Sequence, residues 1–282
     1  MTAEEILKAM CAGAPGNLEK AMTALSKVSG MSADAVEQMS VDAYNRAEGD
    51  LKDYDCPICK NKGFVAYLDD NKEYCQRRCS CMAKRRSIRE AKASGMGALL
   101  SKTFENFETA QEHQKILYRT AQEFVSSVTH GDICWMMACG QSGSGKTHIC
   151  AAACNELLKD GFSVRYMSWI AESGRLRRLK TDDEAYNELY FQLQDPMVLY
   201  IDDLFKHSGD GKPSDAEIGL AFDVLNHRIN AEKITVISTE YSIEMLRSMD
   251  EAITGRIVEM CKGNVVRIKP DINKNYRFKE FR

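Results

Sequence analysis

The stretch that decides the fold class runs from Gly140 to Thr147 and reads GQSGSGKT. It matches every fixed position of G-x-x-x-x-G-K-[ST], the Walker A loop, which holds the phosphates of a nucleotide. An apolar segment, ICWMMA, precedes the loop, and a segment of helical periodicity, THICAAACNELLKDG, follows it. This order suits phosphate binding, because a glycine-rich turn and a helix N-terminus both aim backbone N–H groups at an anion.

The loop predicts an ATP site in which the side chains have separate tasks. Lys146 is expected to neutralise the β- and γ-phosphates, and Thr147 to place its hydroxyl on Mg²⁺. The apolar run MVLYIDD ends in two aspartates, of which Asp202 is the expected metal ligand and Asp203 orients the attacking water. The alternatives are a plain glycine turn and two surface aspartates. The predicted nucleotide contacts are Gly140, Gln141, Ser142, Gly143, Ser144, Gly145, Lys146, Thr147 and His148.

Helical and apolar strand patterns alternate from about Gln111 onward, which indicates a parallel sheet with helices on both faces. Five segments are predicted strands: ICWMMA at 133–138, FSVRYMS at 162–168, MVLYID at 197–202, ITVIST at 234–239 and NVVRI at 264–268. The pattern of residues 1–50 instead predicts short helices, one of which begins with Ser32 as its N-cap. The predicted fold class is therefore α/β, with a five-stranded parallel sheet that carries the P-loop.

Cysteine is concentrated in one short segment. Five of the eleven cysteines lie between residues 56 and 81, and the first two form the pair Cys56-Pro-Ile-Cys59. A C-x-x-C pair lets two thiolates of one turn bind a tetrahedral ion, and in a reducing cytosol such a cluster indicates Zn²⁺ rather than disulfides. Because no histidine lies between residues 50 and 100, the second pair must come from Cys75, Cys79 and Cys81. Reduced, buried cysteines are the alternative.

Length and composition restrict the number of domains and the class of protein. With 282 residues the chain is long enough for two domains, and 44% hydrophobic with 28% charged residues is the balance of a globular protein. No stretch approaches the apolar length that spans a membrane, and the N-terminal MTAEEILKAM lacks the basic start of a signal peptide. We expect a cytoplasmic protein with a helical and zinc-binding domain at 1–100 and the P-loop domain at 101–282.

Basic residues form two local runs in a chain whose net charge is −3. The first, MAKRRSIREAK, follows the cysteine cluster. The second comprises Arg175, Arg177, Arg178 and Lys180. Either run is suited to contact the phosphates of a nucleic acid, and the first also suits an acidic partner surface. A solvated helix face is the alternative.

Further stretches stand out beside the Walker loop: VLYIDDLFK, PSDAEIGLAFDVLNHRIN, and ITVISTEYSIEML followed by DEAITGRIVEMCKG. Together with GQSGSGKT they resemble the AAA+ ATPase domain of bacterial replicative helicase loaders of the DnaC/DnaI type, a domain that transposition-helper ATPases share. The resemblance covers roughly residues 100–282. The pattern CPxC…CxCM resembles the N-terminal zinc module of the Gram-positive loaders, and this resemblance selects Cys79 and Cys81 as the second pair, with Cys75 in reserve.

The resemblance implies roles for several single residues. Arg256, in GRIVEMC, matches the arginine finger that reaches the γ-phosphate held by a neighbouring subunit. The polar sensor after the fourth strand falls at Glu240, where an asparagine is usual. A carboxylate cannot donate a hydrogen bond, so either Thr239 contacts the water or hydrolysis is slow. Arg277 stands where such domains often place an arginine near the nucleotide.

The function that the resemblance implies is ATP-dependent loading of the replicative DNA helicase at the initiation of DNA replication. Such a protein uses ATP and Mg²⁺, hydrolyses ATP weakly until assembly or DNA stimulates it, and contacts the helicase hexamer, single-stranded DNA and further copies of itself, but no membrane. A transposition-helper ATPase that binds DNA and recruits a recombinase is the alternative, and an ATP-binding adaptor that barely hydrolyses is a third. The long N-terminal region favours the loader, because transposition helpers usually carry a short helical extension without a zinc cluster.

Overall fold

The structure is a computed structural model that describes residues 32–207 and 212–281. The chain divides into two compact units, residues 1–86 and 87–282. The helices expected before residue 32 lie outside the described residues. The division between the units falls earlier in the chain than the domain boundary expected at residue 100. Independent folding of residues 1–100 stays a prediction.

The N-terminal unit combines a helix with a two-stranded hairpin. Its elements are α1 (Ala33–Arg46), the antiparallel strands β1 (Phe64–Leu68) and β2 (Tyr74–Arg78), and the start of α2 (Cys81–Ala91). Helix α1 begins at the expected cap, because the Ser32 hydroxyl accepts a hydrogen bond from the Ala35 N–H. The side-chain amide of Asn45 exchanges two hydrogen bonds with the backbone of Ala66, and these bonds fasten α1 to the hairpin.

The C-terminal unit is built on a five-stranded parallel sheet. Its strands are β3 (Met136–Gly140), β4 (Val164–Ser168), β5 (Val198–Asp202), β6 (Ile234–Thr239) and β7 (Val265–Ile268). Their spatial order is β4-β5-β6-β3-β7, and all neighbouring pairs are parallel. The five overlap the five predicted strands, so the α/β fold class with a parallel five-stranded sheet is confirmed. Along β3, Met136 and Ala138 enter one core and Met137 and Cys139 the other.

Helices cover both faces of this sheet. They are α3 (Glu112–Thr129), α4 (Lys146–Lys159), α5 (Trp169–Arg178), α6 (Asp183–Gln194), α7 (Asp215–Asn230), α8 (Ile243–Met249) and α9 (Glu251–Cys261). Helices α3 and α4 bury Phe124 and Leu157 on one face, while α6, α7 and α9 bury Leu193, Val224 and Ile257 on the other. Among the described residues, no helix is both long and apolar enough to cross a membrane.

A buried arginine ties several of these elements together. Arg228 on α7 is fully buried, and its partners are uncharged oxygens. It donates to the Thr235 hydroxyl and to the carbonyls of Leu193, Gln194, Pro196, Met197 and Ile234. Burial lowers the pKa of this guanidinium to about 9, which leaves it charged at neutral pH. One cation therefore holds the end of α6 and the starts of β5 and β6.

The strand order also decides where a ligand binds. Strands β5, β6 and β3 are neighbours in the sheet, and they run in the same direction. The carboxyl ends of parallel strands meet at one edge, where ligands of open α/β sheets bind. The loop after β3, the end of β5 at Asp202 and the end of β6 at Thr239 therefore lie side by side.

Candidate functional site

The Walker loop leaves β3 through a position that only glycine can occupy. Gly140 has a φ of 113°, and a Cβ there would lie 2.1 Å from the carbonyl oxygen of Ile268 on β7. A side chain at Gly143 would meet Asn275 at the same distance. Helix α4 then begins at Lys146, so the loop and the first turn of the helix present backbone N–H groups to the same space.

The side chain of Lys146 folds back onto the Walker loop. Its ammonium group donates to the carbonyls of Gly140 and Gln141, at 2.8 and 2.7 Å, and the residue is 5% exposed. Burial lowers the pKa of Lys146, while the nearby carboxylates of Glu240 and Asp203 act to raise it. A buried cation whose partners are loop carbonyls is well placed to exchange them for phosphate oxygens.

Asp202 is held by four hydroxyl groups at the end of β5. Oδ1 accepts from Tyr200 at 2.7 Å, from Thr147 at 3.1 Å and from Ser238, and Oδ2 accepts from Tyr166 at 3.1 Å. The residue is 8% exposed. Neighbouring oxygen ligands of an octahedral Mg²⁺ lie about 3 Å apart, so the hydroxyl of Thr147 and Oδ1 of Asp202 fit such an ion.

Sequence reasoning missed the two tyrosines that orient this carboxylate. Tyr200 lies two residues before Asp202 on the same strand, so both side chains point to one face of the sheet. That alternation is a signal that the sequence did carry. Tyr166 reaches Asp202 from the neighbouring strand β4 and has no such local signal.

Asp203 and Glu240 face the cavity, and Thr239 does not. The Thr239 hydroxyl is fully buried and donates to the Leu204 carbonyl at 2.8 Å, which removes it as a contact for the attacking water. Burial acts to raise the pKa of Glu240, but hydrogen bonds from Lys206 and Ser142 outweigh it and lower the pKa. The position of the polar sensor therefore holds an ionised carboxylate.

A cavity of about 480 Å³ opens in front of the Walker loop, a size typical of small-molecule sites. His148 lines it, with Nε2 2.8 Å from Oδ1 of Asn106 and its ring 5.2 Å from that of Phe107. Arg277 also lines it, and the adjacent Tyr276 donates its N–H to the carbonyl of Gly143 at 2.8 Å. No motif marked Asn106 or Phe107, which lie in the segment between α2 and α3.

Arg256 stands apart from this cavity. It is exposed on α9, its guanidinium donates to Oδ1 of Asn226, and it lies 5.3 Å from the ring centre of Phe222. Asn226 and Phe222 both belong to α7. Arg256 is not among the residues that line the cavity of its own chain.

The structure brings Cys56, Cys59, Cys79 and Cys81 together. All four are buried, and their sulfur atoms lie within 4.8 Å of one another. Zinc–sulfur bonds of about 2.3 Å in a tetrahedron separate the sulfurs by about 3.8 Å. The pairs Cys56–Cys79 and Cys59–Cys81 lie 3.8 and 3.5 Å apart, so the cluster fits a four-coordinate zinc. Cys75 lies on β2 opposite Tyr67, outside the cluster.

The neighbours of the sulfurs shift the thiol pKa values in opposite directions: burial raises the pKa of Cys79 and raises that of Cys81 to about 12. Burial acts to raise the pKa of Cys59, but the Gly63 N–H, 3.3 Å away, and the other thiols outweigh it and lower the pKa to about 6. Arg85 donates to the thiol of Cys81 and to Oδ1 of Asn61, and is 2% exposed. Four thiolates on Zn²⁺ carry two net negative charges, which this buried guanidinium partly offsets. The expectation that Arg85 contacts a nucleic acid is wrong, because the residue is buried.

The second basic run is exposed, as both phosphate contact and a solvated helix face require. Arg175, Arg177, Arg178 and Lys180 all face solvent at and after the end of α5. Arg177 lies 3.2 Å from Glu217, and Arg175 lies 4.0 Å from Glu172. Trp169, at the start of the same helix, is buried and cannot stack on a base.

We expect the full-length chain to carry about one zinc ion after a chelator wash, because four thiolates close a tetrahedral site. Cys59→Ser is expected to lose the zinc and unfold the N-terminal unit while nucleotide binding persists. Cys75→Ser is the matched control and is expected to retain the metal. Elemental analysis and circular dichroism make the comparison. A metal-free wild-type chain whose N-terminal unit is nevertheless folded would contradict the zinc assignment.

We expect Lys146→Ala to weaken nucleotide binding about ten- to hundredfold or more, since a hydrogen bond to a charged group contributes about 1.5–3 kcal/mol. Asp202→Asn is expected to keep metal-free binding and to lose the part that depends on Mg²⁺. Lys159→Ala, at the exposed end of the same helix, is the control. Titration calorimetry measures all three, and equal ATP affinity in wild type and Lys146→Ala would refute the assignment.

Comparison with known proteins places the chain in a family. The family described as IstB-like ATP binding protein matches residues 65–281. The phage-like element PBSX protein XkdC of Bacillus subtilis (strain 168) is 33% identical over a 231-residue alignment that covers 79% of this chain and 85% of XkdC. The replicative helicase loader DnaC of Escherichia coli (strain K12) is 27% identical over 158 residues, which are 55% of this chain and 62% of DnaC.

The comparison of folds agrees with the comparison of sequences. A crystal structure of the DnaC helicase loader superposes with a TM-score of 0.52 at 21% identity, over 61% of this chain and 99% of that one. At this identity the likeness shows the fold alone. Taken with the family match, it confirms the resemblance to ATPases of the DnaC type. The chain belongs to the family of IstB-like ATP-binding proteins.

Proposed function

We propose that the protein is an ATP-dependent loader of the replicative DNA helicase, acting in the cytoplasm at the initiation of DNA replication. One observation carries the proposal: a P-loop cavity and a separate four-cysteine unit occur in the same chain. This combination favours a loader over a transposition helper. The similarity to DnaC of Escherichia coli, which is named a replicative helicase loader, supports the same conclusion.

The cavity supports binding and slow hydrolysis of ATP with Mg²⁺. When bound, Mg²⁺ neutralises phosphate charge and polarises the bond to the terminal phosphate. Lys146 holds the β- and γ-phosphates, and Thr147 and Asp202 hold the metal. Asp203 accepts a hydrogen bond from the attacking water and so orients it. Asp203 is shorter than the usual glutamate and is paired with Lys206, which supports a weak basal rate.

The position of Arg256 supports assembly of several copies. The residue lies outside the cavity of its own chain and is exposed. Arg256 can therefore stabilise charge on the terminal phosphate only when it belongs to a neighbouring copy, in trans. On this proposal the ATPase is complete only where two subunits meet, and isolated monomers are poor enzymes.

The exposed run from Arg175 to Lys180 supports contact with single-stranded DNA. Its four cations lie close together at the end of one helix, as phosphate binding requires. Residues 1–100, with the cysteine cluster, are proposed to grip the helicase hexamer. The alternative function, an ATP-dependent helper that recruits a recombinase, would use the same ATPase with a different partner.

The first test is capture of the partner. We expect the full-length chain, immobilised in the presence of ATP, to retain the replicative helicase of the organism that encodes it. Cys59→Ser is expected to lose this capture, because the N-terminal unit needs its metal, and Cys75→Ser to keep it. Retention of a recombinase instead of the helicase would favour the alternative. Failure to retain the purified helicase under any nucleotide condition would refute the loader assignment.

The second test is complementation between two inactive variants. Arg256→Ala and Lys146→Ala should each have little ATPase activity. Mixing them creates some interfaces in which an intact P-loop faces an intact arginine, so activity should partly return. Arginine fingers are worth about 10³-fold or more in rate, which makes even a minority of such interfaces measurable by phosphate release.

Two results would show that Arg256 is only a surface residue. The first is full DNA-stimulated turnover by Arg256→Ala alone. The second is a mixture that co-assembles but regains no activity. Arg247→Ala, which removes an exposed arginine of α8 paired with Glu251, is the control for loss of a surface cation.

A further inference from the structure

Lys206 is a cation of the nucleotide cavity to which no motif assigns a role. Its ammonium group lies 2.9 Å from Oδ2 of Asp203 and 2.9 Å from Oε1 of Glu240. All three side chains are half-buried, and all three line the cavity together with Lys146. The ion bridge therefore faces the space for the nucleotide rather than the open surface.

The turn that carries Lys206 is held in place. The N–H of Leu204 donates to the carbonyl of Ser238 at 2.8 Å, so the turn is fastened to β6. Phe205 has a φ of 65° and is buried, with its ring centre 5.2 Å from that of Trp169. A bulky residue adopts this left-handed conformation only where its surroundings fix it. The backbone thus aims Lys206 back into the cavity.

The bridge continues to the Walker loop. Glu240 forms a hydrogen bond with the side chain of Ser142, so a line of polar groups runs from the loop through Glu240 and Lys206 to Asp203. This line crosses the side of the cavity next to Asp202, where the metal and the terminal phosphate would lie. Two carboxylates there, without a cation between them, would repel an incoming triphosphate strongly in a half-buried site.

We propose that Lys206 sets the preference of the site for nucleoside triphosphates over diphosphates. It neutralises Asp203 and Glu240 at the place where a terminal phosphate binds, and it is a positioning and specificity residue that acts through these two carboxylates. The inference rests on the proposed ATP binding. A diphosphate ends nearer to Lys146, so the charge of Lys206 affects it less.

The test compares affinities for ADP and for a non-hydrolysable ATP analogue, both with Mg²⁺, by titration calorimetry. Lys206→Met is expected to weaken the analogue about tenfold or more and ADP less than about threefold, since only the triphosphate faces both uncompensated carboxylates. Lys206→Arg keeps the charge and is expected to stay near wild type. The double variant Lys206→Met with Glu240→Gln removes one charge of each sign and is expected to recover most of the lost affinity.

Lys159→Met is the matched control, because this lysine is also ion-paired but lies outside the cavity, 2.6 Å from Glu156. Thermal unfolding of every variant by circular dichroism separates a binding effect from a loss of the fold. Equal weakening of both nucleotides in Lys206→Met, or no recovery in the double variant, overturns the inference. A wild-type chain that binds neither nucleotide instead refutes the proposed ATP function itself.

Discussion

The nucleotide cavity depends on one constraint, the parallel alignment of β5, β6 and β3. Ile201 of β5 pairs with Ile237 of β6, and Ile237 pairs in turn with Met137 of β3, so the ends of the three strands lie within two residues of one another. The Walker loop, Asp202 and the Ser238–Glu240 segment each lie at the end of one of these strands, so they are neighbours in space. Because the strands are buried on both faces, a slip of one residue would exchange side chains between the two cores and disrupt the packing of both. The packing of the sheet therefore also fixes the distances at the site.

The parts of this molecule that sequence could predict are those with a local pattern. The five strands follow from apolar runs bounded by polar turns, the Walker loop from its fixed spacing, and Asp202 from its place at the end of a strand. The residues that sequence missed act across long distances in the chain. Tyr166 reaches Asp202 from another strand, and Phe107 reaches the cavity from the segment before α3. Arg85 is buried on a helix whose composition predicts a solvated face.

Three buried or half-buried cations in this protein are stabilised by three different kinds of neighbouring group. Arg85 lies beside a cluster of thiols, Lys206 lies between two carboxylates, and Arg228 has only carbonyl and hydroxyl oxygens around it. Burying an ion is costly unless its hydrogen bonds are satisfied. Arg228 meets that condition through neutral partners, which suits a structural role. Arg85 instead lies beside thiols that would lose their protons to a bound zinc ion, and Lys206 lies in the cavity in front of the Walker loop.

The contact between Trp169 and Phe205 has an optical consequence. The chain has two tryptophans, Trp135 and Trp169, and both belong to the C-terminal unit. Tryptophan fluorescence, excited selectively over tyrosine, therefore comes from the C-terminal unit alone. Trp169 contacts Phe205, the residue that immediately precedes Lys206, so its emission depends on the conformation of the turn that carries Lys206. The ring contact thus makes tryptophan emission a label-free probe of this turn.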